Sequence, residues 1–501
     1  MTSTTWNKIF RNVLSNLAGT AVGLIVGFFL MPFVVHRIGL TGFGIWMLVN
    51  SFVGYMGLLD LGLSPTLIKK SAELLAKDDI SELNHTVSTI FIFYLLIGAI
   101  VGIVIFGLGF VLPNVFNVPP EDINTFKVVL WIVGLQAGLS FPMAIWSGLT
   151  CGLQDFHFVN GIAIITNLLK AALTILLLIS GFGLISLIWL GFGLSLVSWL
   201  AGMFWVRRRI PHLRIRASQF KWARIRGLAR FSGIMFIGGI AGRILFESDR
   251  IIIGLFLPLA SITIYEVGLR VCNYSRNVLY STSSIMPTAS YLDSKEEKAR
   301  LRALYLTGTK YIFSSYLAVV VALLLFGKDL IHLWMGKGFE ASLPVMYALL
   351  IGSLFQSQNI IAYYLLIGIN KLRVFTKLMV LYPIVNIFLS VLFVLKWGLI
   401  GVALATTITL FLGETFFLFH ILKIFEVRLS LLLKQCHIAA ILSLTPVLFG
   451  CLFMPSLNSW ATLALSVIAF FFLWFVSFLA IGASGEERSH MRQKIARCWS
   501  V

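Results

Sequence analysis

Apolar stretches of bilayer-spanning length recur from one end of this chain to the other, separated by short charged turns. Crossing the hydrocarbon takes about 20 residues as helix, and inside it every backbone N–H and C=O must be satisfied within the segment. Composition agrees with that reading. Of the 501 residues 59% are hydrophobic and only 12% charged, against about 25% charged in a soluble domain, and the mean hydropathy is +0.95. These values exclude a soluble enzyme, a disordered chain and a fibrous one. The expected fold class is an all-α polytopic membrane protein.

Fourteen spans are read, at roughly 12–35, 43–64, 87–112, 126–149, 158–180, 184–206, 228–247, 262–286, 307–326, 343–367, 374–395, 398–421, 434–454 and 460–482. The first follows Lys8 and Arg11 but is too long for a signal peptide and lacks a small-residue cleavage site, so it is read as a retained helix. Short cytoplasmic loops collect Lys and Arg. Placing the N-terminus inside puts 29 of the 39 basic residues on that side, and an even span count brings the C-terminus back to it. The most basic stretch, RRRIPHLRIRASQFKWARIRGLAR at 207–230, sits near the middle of the first twelve spans. It reads as an anchor against anionic headgroups and as a hinge between two six-helix lobes. The expected organisation is a lobe over 1–219 that includes this linker, a second lobe over 220–428, and two added helices with a basic tail over 429–501.

The net charge of +19 would point to nucleic acid in a soluble protein. Here it is an orientation signal, and no nucleic-acid partner is expected. Five cysteines without CxxC spacing argue against a disulfide or metal framework. No GxSxG, HExxH or GxxxxGK[ST] motif occurs, so no catalytic residue, metal or cofactor is assigned. Transport, if that is the activity, would be secondary, drawing on the membrane potential or on a proton or sodium gradient.

An ionisable residue within a span is a functional signal by default. Arg243, Glu247 and Arg250 fall on one helical face of the seventh span. Glu266, Arg270, Asn273 and Asn277 form a polar stripe on the eighth, with Arg276 at its edge. Arginine offers a planar fork matched to phosphate oxygens, so Arg243, Arg250, Arg270, Arg276 and the mid-span Lys170 are the candidate anion-binding cations. The competing reading of Glu266–Arg270 is a structural ion pair. Asn16 lies on a polar stripe of the first span. Gln136, Ser140 and Ser147 of the fourth and Thr166 and Asn167 of the fifth form neutral stripes of the kind that glue helices. Asp60 and Glu414 are the acids left for ion coupling, or for structural roles: Asp60 capping or pairing with the basic segment at Lys69–Lys70, Glu414 neutralising a buried cation.

Residues 12–69, with the turn Gly39-Leu-Thr-Gly-Phe-Gly-Ile-Trp46 and the run Leu58-Leu-Asp-Leu-Gly-Leu63, resemble the opening of the oligosaccharide (polysaccharide) flippase family. The segment Asp249-Arg250-Ile-Ile-Ile-Gly254 and Leu333-Trp-Met-Gly336 resemble its second lobe. The family belongs to the multidrug/oligosaccharidyl-lipid/polysaccharide exporter superfamily. The resemblance implies a flippase of the O-antigen type, which moves undecaprenyl-diphosphate-linked oligosaccharide from the cytoplasmic to the periplasmic leaflet by alternating access through a cationic central cavity. It also implies a bacterial inner-membrane location, a monomeric transport unit, contact with membrane lipids, and a polysaccharide polymerase and chain-length regulator as partners. A peptidoglycan-precursor flippase and a drug/cation antiporter of the same superfamily are the near alternatives. A membrane glycosyltransferase or polymerase is the remote one.

Overall fold

A computed structural model describes residues 3–226, 243–244, 247–280, 282, 285–371, 373–451, 459–483, 485 and 487–489, the side chains of 3–17, 278, 280, 373, 374 and 451 aside. Every described element is helical. Most of the expected seventh span, 228–247, lies outside these residues. Among them, nine helical stretches are long and apolar enough to cross a membrane, or ten if one bent pair counts as a span. By packing the chain forms two compact units, Met1–Thr263 and Ile264–Val501.

The first unit begins with α1 (Ser3–Met56), which Gly39 breaks with a φ of 78°. Glycine adopts that left-handed conformation without steric cost, so one continuous stretch holds two of the expected spans. A 3₁₀ turn (Gly57–Asp60) leads to α2 (Leu63–Ala76), α3 (Ile80–Val115), α4 (Ile123–Gly152), α5 (Phe156–Ile179) and α6 (Leu184–Arg209). Helices α3 and α4 meet backbone to backbone. A Cβ at Gly98 would lie 2.2 Å from the Gly138 carbonyl oxygen, and small residues permit this approach where no hydrophobic force drives helices together. The outer faces are apolar, with Phe29, Ile103 and Phe204 each about two-thirds exposed or more. In water such a surface would aggregate; in lipid it is the solvated face.

Over its described part the basic linker is held by hydrogen bonds to α3. Asn84 donates to the His212 carbonyl at 3.3 Å and accepts from the Arg214 amide at 2.8 Å. Ser88 accepts from the Arg216 amide at 3.1 Å and donates to Gln219 at 2.9 Å. Arg224 forks onto both oxygens of Glu82, and Trp222 meets Phe93 edge-on. The linker is laced to the first turns of α3, because its extended backbone offers polar groups that α3's side chains satisfy.

In the second unit α7 (Ala260–Tyr280) is followed by α8 (Ile285–Ser294), α9 (Lys298–Met335), α10 (Ser342–Ser357) and α11 (Ile360–Gly368). The last two are bent by 41° at the break between them. Helix α12 (Arg373–Ile424) contains a left-handed break at Gly398 and again joins two expected spans. The chain ends in α13 (Leu429–Leu432), α14 (Ala439–Cys451) and α15 (Trp460–Ser477). These late helices belong to the second unit's core: Leu444, Val447, Leu463 and Phe470 bury themselves on Ala318, Ala322 and Phe326 of α9. Lys310 of α9 pairs with Glu487 at 2.6 Å.

Candidate functional site

Two polar cavities open inside the first unit. The larger, about 510 Å³, is lined by Asn50 and Gly54 of α1, by Gly57 and Asp60 of the 3₁₀ turn, by Ser64, by Ser140 of α4, and by Arg243. The Arg243 guanidinium donates to the Gly54 carbonyl at 2.8 Å. That carbonyl is free to accept because Met56 ends the helix two residues later. Asp60 accepts from the Ser64 hydroxyl at 2.8 Å and from its amide at 3.3 Å, and the buried Tyr94 hydroxyl of α3 also donates to it. Of the two structural roles read for Asp60, capping the segment of Lys69–Lys70 or pairing with those lysines, the structure shows the first, through the Ser64 amide at the start of α2, and corrects the second. Those lysines reach Glu73 on the exposed face of α2, at 3.8 and 2.9 Å. The hydrogen bond from Lys70 holds the Glu73 carboxyl below its ordinary pKa.

The smaller cavity, about 250 Å³, is lined by Trp46, Asn50, Gln136, Asn167, Lys170 and Ser198, among others. The Lys170 ammonium lies 5.9 Å from the centre of the Trp46 ring, within cation–π range. Gln136 donates to Ser195 at 2.9 Å. The stripes expected to glue α4 and α5 to their neighbours therefore also supply cavity wall. Asn50 lines both cavities, and its amide is fixed by donation to the Trp46 carbonyl at 2.7 Å. The Asn16 side chain lies outside the described residues.

Glu247 and Arg250 form an ion pair, and Ser51 of α1 donates to Glu247 at 3.1 Å. Arg250 is thus matched to an acid within its own segment and supplies little surplus charge. In the second unit Arg270 contacts Glu266 at 3.2 Å, the ion pair anticipated as one reading of these residues. Glu266 is buried, whereas the Arg270 side chain is 28% exposed. Asn273 and Asn277 are exposed on the same helix, so α7 carries a partly exposed polar stripe of Arg270, Asn273 and Asn277.

Arg276, by contrast, is buried, donating to Gln356 at 3.0 Å and lying 3.5 Å from the Asn273 oxygen. Nearby, Glu414 is buried and accepts from Asn359 at 2.8 Å, and the charge of Arg276 acts on it. Asn359 stands at the break between α10 and α11, so this cluster ties α7, the bent pair and α12 together.

Sequence reasoning missed Asn50, Ser64, Tyr94, Gln356 and Asn359. Gln356 and Asn359 share an i, i+3 spacing that could have flagged them; Tyr94, within the apolar run of α3 that follows its polar first turns, gave no signal. Among the described residues no three His, Cys, Asp or Glu side chains converge as a metal site would require.

Known proteins place this architecture. The chain superposes on a lipid II flippase, MurJ, in an inward closed conformation, with a TM-score of 0.75 at 14% identity over 93% of this chain and 97% of that one. It superposes on an inward-facing multidrug resistance MATE family transporter of the MOP superfamily with a TM-score of 0.69 at 15% identity, over 85% and 99%. Likeness at this identity establishes the fold. In sequence the chain is 22% identical over 417 residues to a Shigella flexneri protein named as an O-antigen transporter, covering 81% of this chain and 96% of that one. It is 27% identical over 295 residues to a protein from Haloferax volcanii named as a low-salt glycan biosynthesis flippase, covering 54% and 60%. Residues 38–344 match the family described as polysaccharide biosynthesis protein, and the chain belongs to that family.

Proposed function

We propose that the protein is a flippase for a glycan carried on undecaprenyl diphosphate, the repeat unit of an O-antigen or another surface polysaccharide, moving it from the cytoplasmic to the periplasmic leaflet of a bacterial inner membrane. The observation that carries this reading is the cavity of the first unit where Arg243 and Asp60 share a wall within apolar helices. A diphosphate and its sugars cannot cross hydrocarbon unaided, because desolvating such groups is prohibitively costly. A water-filled polar path replaces the lost hydration, and arginine supplies the fork that phosphate oxygens prefer. Family membership and the name of the Shigella relative support the glycan as cargo.

In this reading Arg243 meets the diphosphate in the first unit, and Arg270 of α7 is the candidate cation of the second. Arg250 and Arg276, held by their own partners, position helices. The cavity is exposed alternately to the two sides of the membrane. An inside-negative potential favours outward movement of an anion by about 2.3 kcal/mol per charge per 100 mV, and Asp60 or Glu414 would add coupling to a proton or sodium ion. The transport unit is a monomer with both termini in the cytoplasm, supplying a polymerase and chain-length regulator on the far side.

The test is complementation of a strain lacking its own flippase for the same glycan. Arg243→Ala should lower surface glycan by about tenfold or more, the scale of one lost hydrogen bond to a charged group, while inserted protein stays at wild-type level. Undecaprenyl-linked repeat units should accumulate on the cytoplasmic side. Failure of the wild-type chain to restore glycan, with accumulation of peptidoglycan precursor in its absence, would transfer the assignment to that cargo.

A further inference from the structure

The smaller cavity of the first unit asks for a different ligand from the larger one. Its described lining carries one positive charge, Lys170, and no negative one. Around that charge stand an indole, two side-chain amides on α1 and α5, the Gln136 amide, and the hydroxyls of Ser195 and Ser198. Amides and hydroxyls that both donate and accept suit sugar hydroxyls, which do the same. Indole offers the apolar body and polar edge that suit a ring with apolar and polar faces. A volume of about 250 Å³ holds a single sugar ring.

We propose that this cavity is a glycan-reading subsite for one acidic sugar of the cargo, with Lys170 meeting its carboxylate and the amides and hydroxyls its ring. The proposal rests on the flippase reading above and names the class of repeat unit: one that contains a uronic acid or another carboxylated sugar. A diphosphate is the rival anion. It carries more than one charge and fits the planar fork of arginine, whereas a lone ammonium is a point charge, and no arginine lines this cavity among the described residues. The arginine stands instead in the adjoining cavity, so the two chambers divide the headgroup between phosphate and sugar. Trp46 reports on the event, since the ammonium already lies over its ring.

The experiment uses the full chain in nanodiscs, titrated with methyl glucuronide, methyl glucoside and inorganic pyrophosphate, with ligand-observed NMR and tryptophan fluorescence as readouts. Methyl glucuronide should bind about tenfold more tightly than methyl glucoside, the scale of one charge-assisted hydrogen bond. Lys170→Gln should bring the ratio to one and Lys170→Arg should restore most of it, which separates lost charge from lost fold. Equal binding of the two glycosides by the wild-type chain overturns the proposal, as does an unchanged ratio in Lys170→Gln. Pyrophosphate that displaces the glucuronide only when Lys170 is present overturns it in favour of a phosphate site. Translocation of a neutral lipid-linked oligosaccharide by the wild-type chain in liposomes is measured alongside. If that succeeds while the glucuronide preference is absent, the flippase reading stands and the acidic subsite falls.

Discussion

Asp60 and Tyr94 are 34 residues apart in sequence, yet the phenol donates to the carboxylate inside a cavity wall. A hydrogen bond to a charged group contributes about 1.5–3 kcal/mol, and a buried group deprived of its partner costs the desolvation as well. Tyr94→Phe should therefore destabilise the purified protein by about 2 kcal/mol, read as a lower unfolding temperature in detergent. Asp60→Asn keeps the shape and removes the charge. If Asp60 carries the coupling ion, that variant loses most glycan export while unfolding within a few degrees of wild type. The sequence made the charged residues of the spans visible because hydrocarbon tolerates so few of them. It did not reveal their partners, since Tyr94 and Asn50 look like any aromatic or amide on a helix. Only packing brings Tyr94 to Asp60 and places Asn50 on the rim of two cavities.

Helix lengths were the most legible level. Long apolar runs became α3 through α6 with ends shifted by up to seven residues, and the gaps read between spans at 35–43 and 395–398 became breaks at Gly39 and Gly398 within continuous helical stretches. Helix α7 was legible for the opposite reason: its three charged residues within 21 positions announce a polar face, and it is absent from the helices apolar enough to cross on composition alone. Close approach between helices was less visible. The Gly98–Gly138 contact of α3 with α4 is lost in a chain holding 42 glycines, most of which need no such explanation. Gly98→Val should separate the two helices and cost about 3 kcal/mol, the upper end of what overpacking typically costs. Gly102→Ala, where an added Cβ meets open space, should be neutral or slightly stabilising. Expression level and unfolding temperature of the two variants separate them.

For the molecule as a whole, the alternation of basic loops yields a topology that labelling can check. On a cysteine-free background Ser218→Cys should react with an impermeant maleimide only from the cytoplasm, and Glu121→Cys only from the periplasm. Reaction of both from one side would reverse the orientation. What the charge pattern concealed was the linker's attachment. Asn84, Ser88 and Glu82 carry no signature that marks them as moorings, because their roles depend on where the extended backbone of 212–219 happens to run. Glu82→Lys should loosen it, read as faster trypsin cleavage between 207 and 226 in inside-out vesicles.

Among the described residues Asn50 is the one side chain common to both chambers; it is clamped by its own helix, and this turns a pair of cavities into a ruler. A headgroup that fills both must hold its phosphate and its acidic sugar at a fixed separation around that amide. Selection would then act on spacing along the glycan: two repeat units built from the same sugars in different order would be told apart, while changes to sugars beyond the second chamber would pass unread.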